Sequence, residues 1–151
     1  MKLTLHTDYA LRMLIYLAAN GGHPARVADV AESYGISRNH LLKVALRLGK
    51  LGYVATLRGR SGGITLARSP EAINLGEVVR QMEADFALVD CMGSGSGVCA
   101  ISPACKLKGI VKKALDAFLS IFDEYTLADI AGNHDMLADL LKFSGKSFEQ
   151  L

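Results

Sequence analysis

Cys91, Cys99 and Cys105 are the only cysteines in the chain. They lie in one stretch, C-M-G-S-G-S-G-V-C-A-I-S-P-A-C, with seven residues in the first gap and five in the second. Gly and Ser dominate the first gap, a composition that wraps a compact object and does not pack a core. Three soft thiolates on such a loop suit zinc or an iron–sulfur cluster. Either leaves one coordination position open, so a fourth donor must come from elsewhere in the fold or from a second subunit. The four histidines, His6, His23, His40 and His134, all fall outside the loop. Asp8 is a candidate donor that spacing does not select. An odd thiol count argues against a closed disulfide framework.

The start of the chain, Met1 to Asp8, lacks the apolar core of a secretion signal. No apolar run approaches the roughly 20 residues of a membrane span. The expectation is a cytoplasmic protein with no membrane partner, in a compartment where thiols stay reduced. At 151 residues, half of them hydrophobic, the chain suits one compact domain or a small domain with a dimerising extension.

The elements that must position the cysteines follow from periodicity. Thr7 is placed to cap a helix from Asp8 to about Asn20, apolar nearly all round and therefore buried, and stopped by Gly21-Gly22. Asp8 and Arg12 are its only charges, four apart on one face. A short helix from Val27 to Tyr34 ends at Gly35, and Ser37 caps a second helix to about Lys50. Two helices around a glycine turn make a helix-turn-helix pattern. On the second helix Leu41, Ala45 and Leu48 form a packing side, and Asn39, Lys43, Arg47 and Lys50 form another. Arg38, Asn39, His40 and Lys43 lead it, placed to meet base edges and phosphates.

Two strand-like runs follow, Tyr53–Leu57 and Gly63–Leu66, joined by Arg58-Gly59-Arg60-Ser61-Gly62. A hairpin in that position is a wing, and Arg58 and Arg60 at its tip suit a minor groove or phosphates. Charge agrees. Residues 1–70 carry ten Lys/Arg against three Asp/Glu, a net +7, while residues 71–151 carry a net −5. A basic first half points to a polyanion.

Beyond Ser69-Pro70 a helix is expected from Leu75 to Glu83. Ser102-Pro103 signals another helix start, which places Cys105 in a first turn, where the helix dipole favours an anionic ligand. The helix expected from Pro103 to about Tyr125, with an apolar stripe from Leu107 on, runs about 33 Å at ~1.5 Å per residue, longer than one small domain needs. The stripe reads as a dimer seam. Thr126 and Asp129 have capping-box spacing, a last amphipathic piece covers Asp135 to Phe143, and Ser144 to Leu151 is expected to fray. The fold expected is mainly α: a winged helix-turn-helix over residues 1–70, a linking helix and cysteine loop over 71–101, and a dimerising region over 102–151.

With those residues in view, the chain resembles the winged-helix iron–sulfur transcriptional repressors. L-T-L-H-T-D-Y-A-L-R, S-R-N-H-L-L-K-V, R-G-R-S-G-G-I-T-L, C-A-I-S-P-A-C-K-L-K and D-E-Y-T-L-A-D-I carry the resemblance, over residues 1 to about 131. It implies a homodimer that binds double-stranded DNA at a palindromic operator. It also implies a 4Fe-4S cluster, with 2Fe-2S as the alternative, held by Cys91, Cys99 and Cys105. In the nitric-oxide-sensing branch an aspartate at the start of the first helix ligates across the dimer, which points to Asp8, with Arg12 beside the cluster. IscR-like members use a histidine three residues after the last cysteine, where this chain has Lys108. The iron-responsive RirA-like branch typically lacks the acid at Asp8 and has a longer second cysteine gap, but shares the seven-residue first gap. Two readings from other classes stand beside this one. A redox enzyme is disfavoured because Gly93-x-Gly95-x-Gly97 lacks the flanking strand and helix of a dinucleotide site. A zinc-stapled interaction domain is the other.

Overall fold

The computed structural model describes residues 2–93 and 99–141. The middle of the cysteine loop and the expected fraying end, Ser144 to Leu151, lie outside the described residues. The order is α1 (Leu5–Ala19), α2 (Val27–Tyr34), α3 (Arg38–Lys50), β1 (Val54–Leu57), β2 (Gly63–Leu66), α4 (Leu75–Met82), α5 (Lys106–Asp123), α6 (Leu127–Ala131) and α7 (His134–Leu141). Short 3-10 turns lie at Pro70–Ala72, Asp90–Met92 and Ser102–Ala104.

α1 is the hub. Its Ala10, Met13, Leu14 and Leu17 are buried, as an all-round apolar helix requires. It packs against α3, α4, α6, α7 and β2. One hydrophobic cluster joins Leu14, Leu41, Val44 and Tyr53 of the first half to Val78, Leu127 and Leu141 of the second. α1 begins earlier than expected. Thr4, not Thr7, is the N-cap, accepting from the Thr7 amide at 3.3 Å. Thr4 is held there by a distant group: the Glu83 carboxylate accepts from its amide at 2.7 Å and from its hydroxyl at 3.1 Å.

Gly35 ends α2 in the left-handed region, φ 62°, and turns the chain into α3. β1 and β2 pair antiparallel, Val54 opposite Leu66 and Leu57 opposite Gly63, so Arg58 to Gly62 form the turn. Ala25 and Ile64 exchange backbone hydrogen bonds at 2.8 and 2.9 Å, which anchors the hairpin to the loop before α2.

α5 is shorter than the apolar stripe suggested: 18 residues, about 27 Å. Pro103 starts a 3-10 turn rather than the helix, and Cys105 is the extended N-cap of α5, not a residue of its first turn. The C-terminal end of α5 is fastened to α4. Arg80 grips Asp123 with both guanidinium nitrogens, one contact at 2.7 Å, and the Asn74 amide donates to the Asp123 carbonyl at 2.8 Å. The capping box at Thr126 is present, its amide donating to Asp129 at 2.7 Å. The rest of α5 is scarcely covered by the described residues. Leu119 is its one buried side chain, while Leu107, Ile110 and Ile121 are each more than half exposed.

Candidate functional site

Two regions carry the residues of interest. The first is the outer face of α3 with the hairpin. Leu41, Val44 and Leu48 are fully buried, so the helix is held by one seam and its opposite side faces solvent. Arg38, Asn39 and Lys43 lie exposed on α3, and Arg58 and Arg60 lie exposed on the hairpin turn. His40 is also exposed, with its ring stacked near Tyr9 of α1, centroids 6.4 Å apart and planes at 26°. Arg47 departs from the pattern expected of the polar side. Its guanidinium donates to the Gln81 carbonyl of α4 at 2.6 Å. It therefore helps to dock α3 on the rest of the fold, a role that only a partner 34 residues away defines.

The second region holds the thiols. Cys91 lies in the 3-10 turn at Asp90–Met92, Cys99 lies just before the turn at Ser102, and Cys105 caps α5. All three are free and half-buried. Asp8 sits in the first turn of α1 and is held by Arg12, with contacts of 3.1 Å from Nε and 3.0 Å from the terminal nitrogen. Arg12 also lies over the Tyr34 ring, 5.8 Å from its centroid, so it bridges α1 to the end of α2. Burial raises the Tyr34 hydroxyl above its ordinary pKa, with Arg12 opposing. Asp8 and Arg12 are thus brought together. The thiols are not gathered with them in one chain: among the described residues no three His, Cys, Asp or Glu side chains converge as a metal site. Lys108 is exposed in the first turn of α5.

Sequence reading missed two links, Thr4 to Glu83 and Arg47 to Gln81. Both converge on the last turn of α4, directly before the segment that leads to Cys91. A glutamate at a helix end is ordinary in sequence, and only its burial, at 9% exposure, marks it.

A winged helix-turn-helix with a cysteine-bearing segment defines a class of transcriptional regulator, and comparison with known proteins agrees. The family described as Rrf2, iron-dependent transcriptional regulators, matches residues 3–133. This chain belongs to that family. It is 53% identical to the HTH-type transcriptional regulator NsrR of Bacillus licheniformis, covering 93% of this chain and 99% of the relative. It is 52% identical to the protein of the same description in Bacillus subtilis, over 94% and 98%. Among solved structures, CymR (YrzC), the global cysteine regulator of B. subtilis, superposes with TM-score 0.69 at 26% identity, over 87% of this chain and 97% of that one. IscR of T. potens gives 0.66 at 26% identity, over 98% and 95%. The chain is accordingly a transcriptional regulator of the NsrR type and not an enzyme. Among the described residues no helix is long and apolar enough to cross a membrane.

Proposed function

We propose that this chain is a DNA-binding repressor acting as a homodimer on a palindromic operator, with an iron–sulfur cluster that senses nitric oxide. The observation that carries this reading is the pairing of an exposed, cationic α3 and hairpin with three free, half-buried thiols on the segment that leads into α5. Near full-length identity to proteins described as NsrR supports it. Residues 1–70 then contact DNA, 71–101 carry the cysteine loop, and 102–151 dimerise.

The donor set fits a 4Fe-4S cluster in type. Three thiolates and a carboxylate provide one anionic ligand per iron. Cys91, Cys99 and Cys105 would hold it, with Asp8 from a second copy, since one chain does not gather the four. A 2Fe-2S form is the alternative. When bound, the cluster would supply iron atoms with which nitric oxide reacts.

The chain's own residues give the coupling. Asp8 lies on α1, and α1 packs directly on α3. An Asp8 oxygen that binds a ligand gives up its contact with Arg12; without a ligand both carboxylate oxygens stay paired with Arg12 as observed. That exchange shifts the start of α1 and with it the separation of two reading helices, which must match the operator spacing. Coupling of about 3 kcal/mol changes DNA affinity more than 100-fold. Arg38, Asn39, His40 and Lys43 meet the major groove, and Arg58 and Arg60 meet phosphates or the minor groove.

Anaerobic purification followed by native mass spectrometry, absorption spectra and operator binding tests the reading. The expected result is a brown protein with four irons and four sulfides per subunit, bleached by nitric oxide with loss of binding. A colourless zinc protein, or cluster-free protein that binds as tightly as the loaded form, sinks it. The seven-residue gap between Cys91 and Cys99 favours a second reading, an iron-responsive repressor. In that case an iron chelator releases DNA and nitric oxide at stoichiometric dose does not.

A further inference from the structure

The outward face of α3 is not wholly polar. With Leu41, Val44 and Leu48 buried, a helix turning 100° per residue centres its opposite face on Asn39, Leu46 and Lys50, with Leu42 and Lys43 beside them. Leu46 is 63% exposed and Leu42 is 41% exposed. Four residues apart, they form one short apolar stripe. They do not belong to the core seam, which is already complete on the far side. α3 carries no acidic residue, and its exposed face sets Arg38, Lys43 and Lys50 around the leucines.

A cationic face with an apolar stripe at its centre fits a polyanion that displays apolar groups between its phosphates. The major groove of duplex DNA does so, through the C5-methyl of thymine. We infer that Leu42 and Leu46 read thymine by methyl contact. Leu42, in the second turn of α3, meets the bases also reached by Asn39 and Lys43, and Leu46 meets a methyl one turn further along. This rests on the DNA-binding reading and adds specificity to it. Each operator half-site must carry thymine under these turns, and Asn39, Arg38 and Lys43 supply the polar contacts beside it.

The test uses the loaded, full-length protein. A duplex is selected from a random-sequence library, and each thymine is then replaced singly by deoxyuracil, which keeps base pairing and removes only the methyl. One or two positions per half-site lose affinity, roughly 3- to 5-fold each, the equivalent of one exposed methyl left unburied. In Leu42→Ala or Leu46→Ala protein, the loss at the matching position disappears. Both side chains are exposed, so the variants fold; circular dichroism verifies it. Tight operator binding with no sensitivity to any methyl overturns the inference and leaves the DNA-binding reading intact. So does a change from dimer to monomer on sizing of Leu46→Ala, which assigns the stripe to a subunit contact. Failure to select any duplex overturns both.

Discussion

Asp8 should matter little for folding and, as a proposed ligand, much for sensing. Its ion pair with Arg12 spans one helical turn, and the two side chains are 38% and 44% exposed. Such a pair contributes only about 0.3–0.5 kcal/mol. Asp8→Ala should therefore shift Tm by no more than about 2 °C in a chain of this size. The same substitution should shorten cluster lifetime in air and abolish release of DNA by nitric oxide. Unchanged cluster lifetime and unchanged release would remove Asp8 from the proposed ligand set. The Arg80–Asp123 pair makes the opposite kind of prediction. The Arg80 hydrogen bonds hold the Asp123 carboxyl below its usual range. A carboxylate lowered in the folded state stabilises at pH above its unfolded value and loses that contribution as pH falls through the folded value. Asp123→Asn should thus weaken the protein near pH 7 and flatten its loss of stability below about pH 4. Parallel denaturant titrations from pH 7 down through the acid range would show whether the gap between variant and parent narrows as pH falls below about 4.

The elements divide into those the chain buries and those it leaves open. The hairpin depends on a close backbone approach. A Cβ at Gly63 would lie 2.5 Å from the Ala25 carbonyl oxygen and 2.9 Å from its carbon. Neither neighbour is a flexible side-chain end. Gly63→Ala should push the hairpin off Ala25, destabilise by about 1–3 kcal/mol and weaken DNA binding further by moving Arg58 and Arg60. Urea titration measures the first effect, and a stability change under about 0.5 kcal/mol would contradict it. α5 is the open element. A helix that buries only Leu119 and exposes Ile110 by 63% is left largely uncovered by the described residues. Ile110→Asp should give a folded monomer with sharply reduced operator affinity. A dimer of normal affinity in analytical ultracentrifugation would place the subunit seam elsewhere.

For the whole molecule, charge separation is the relevant feature. The first 70 residues carry a net +7, and the exposed arginines of the hairpin belong to that half. Each phosphate contact contributes about 0.9 to the slope of log affinity against log salt. Replacing both Arg58 and Arg60 by Ala removes about four contacts from a dimer, so the slope should fall by roughly 3–4. A slope that does not change would exclude the hairpin from the phosphate contacts. The coupling of the two halves also belongs to this scale. The last turn of α4 holds Arg47 through Gln81 and Thr4 through Glu83, then runs on toward Cys91. The cysteine segment is therefore joined, within one chain, to both the reading helix and the helix that carries Asp8.

Local physics makes much of this legible in one dimension. Apolar periodicity, Gly35, Ser37 and the Thr126–Asp129 spacing locate α2, α3, the hairpin and α6, because each rests on residues within a turn or two of one another. The grouping of three cysteines, with the resemblance, indicates what is to be held. Long-range partners are a different matter. The cap of α1 is Thr4 and not Thr7, and Thr4 is held by Glu83, 79 residues away. Arg47 left the polar side of α3 for a carbonyl on α4, and Pro103 started a 3-10 turn that left Cys105 outside the helix. Periodicity likewise marks α5 as apolar, but only the packed chain shows which of its side chains stay uncovered. Composition and spacing marked which residues could hold a metal and which could meet a polyanion. Tertiary structure decided which side chains are free to perform it, since a hydrogen bond between distant segments leaves no local pattern to read.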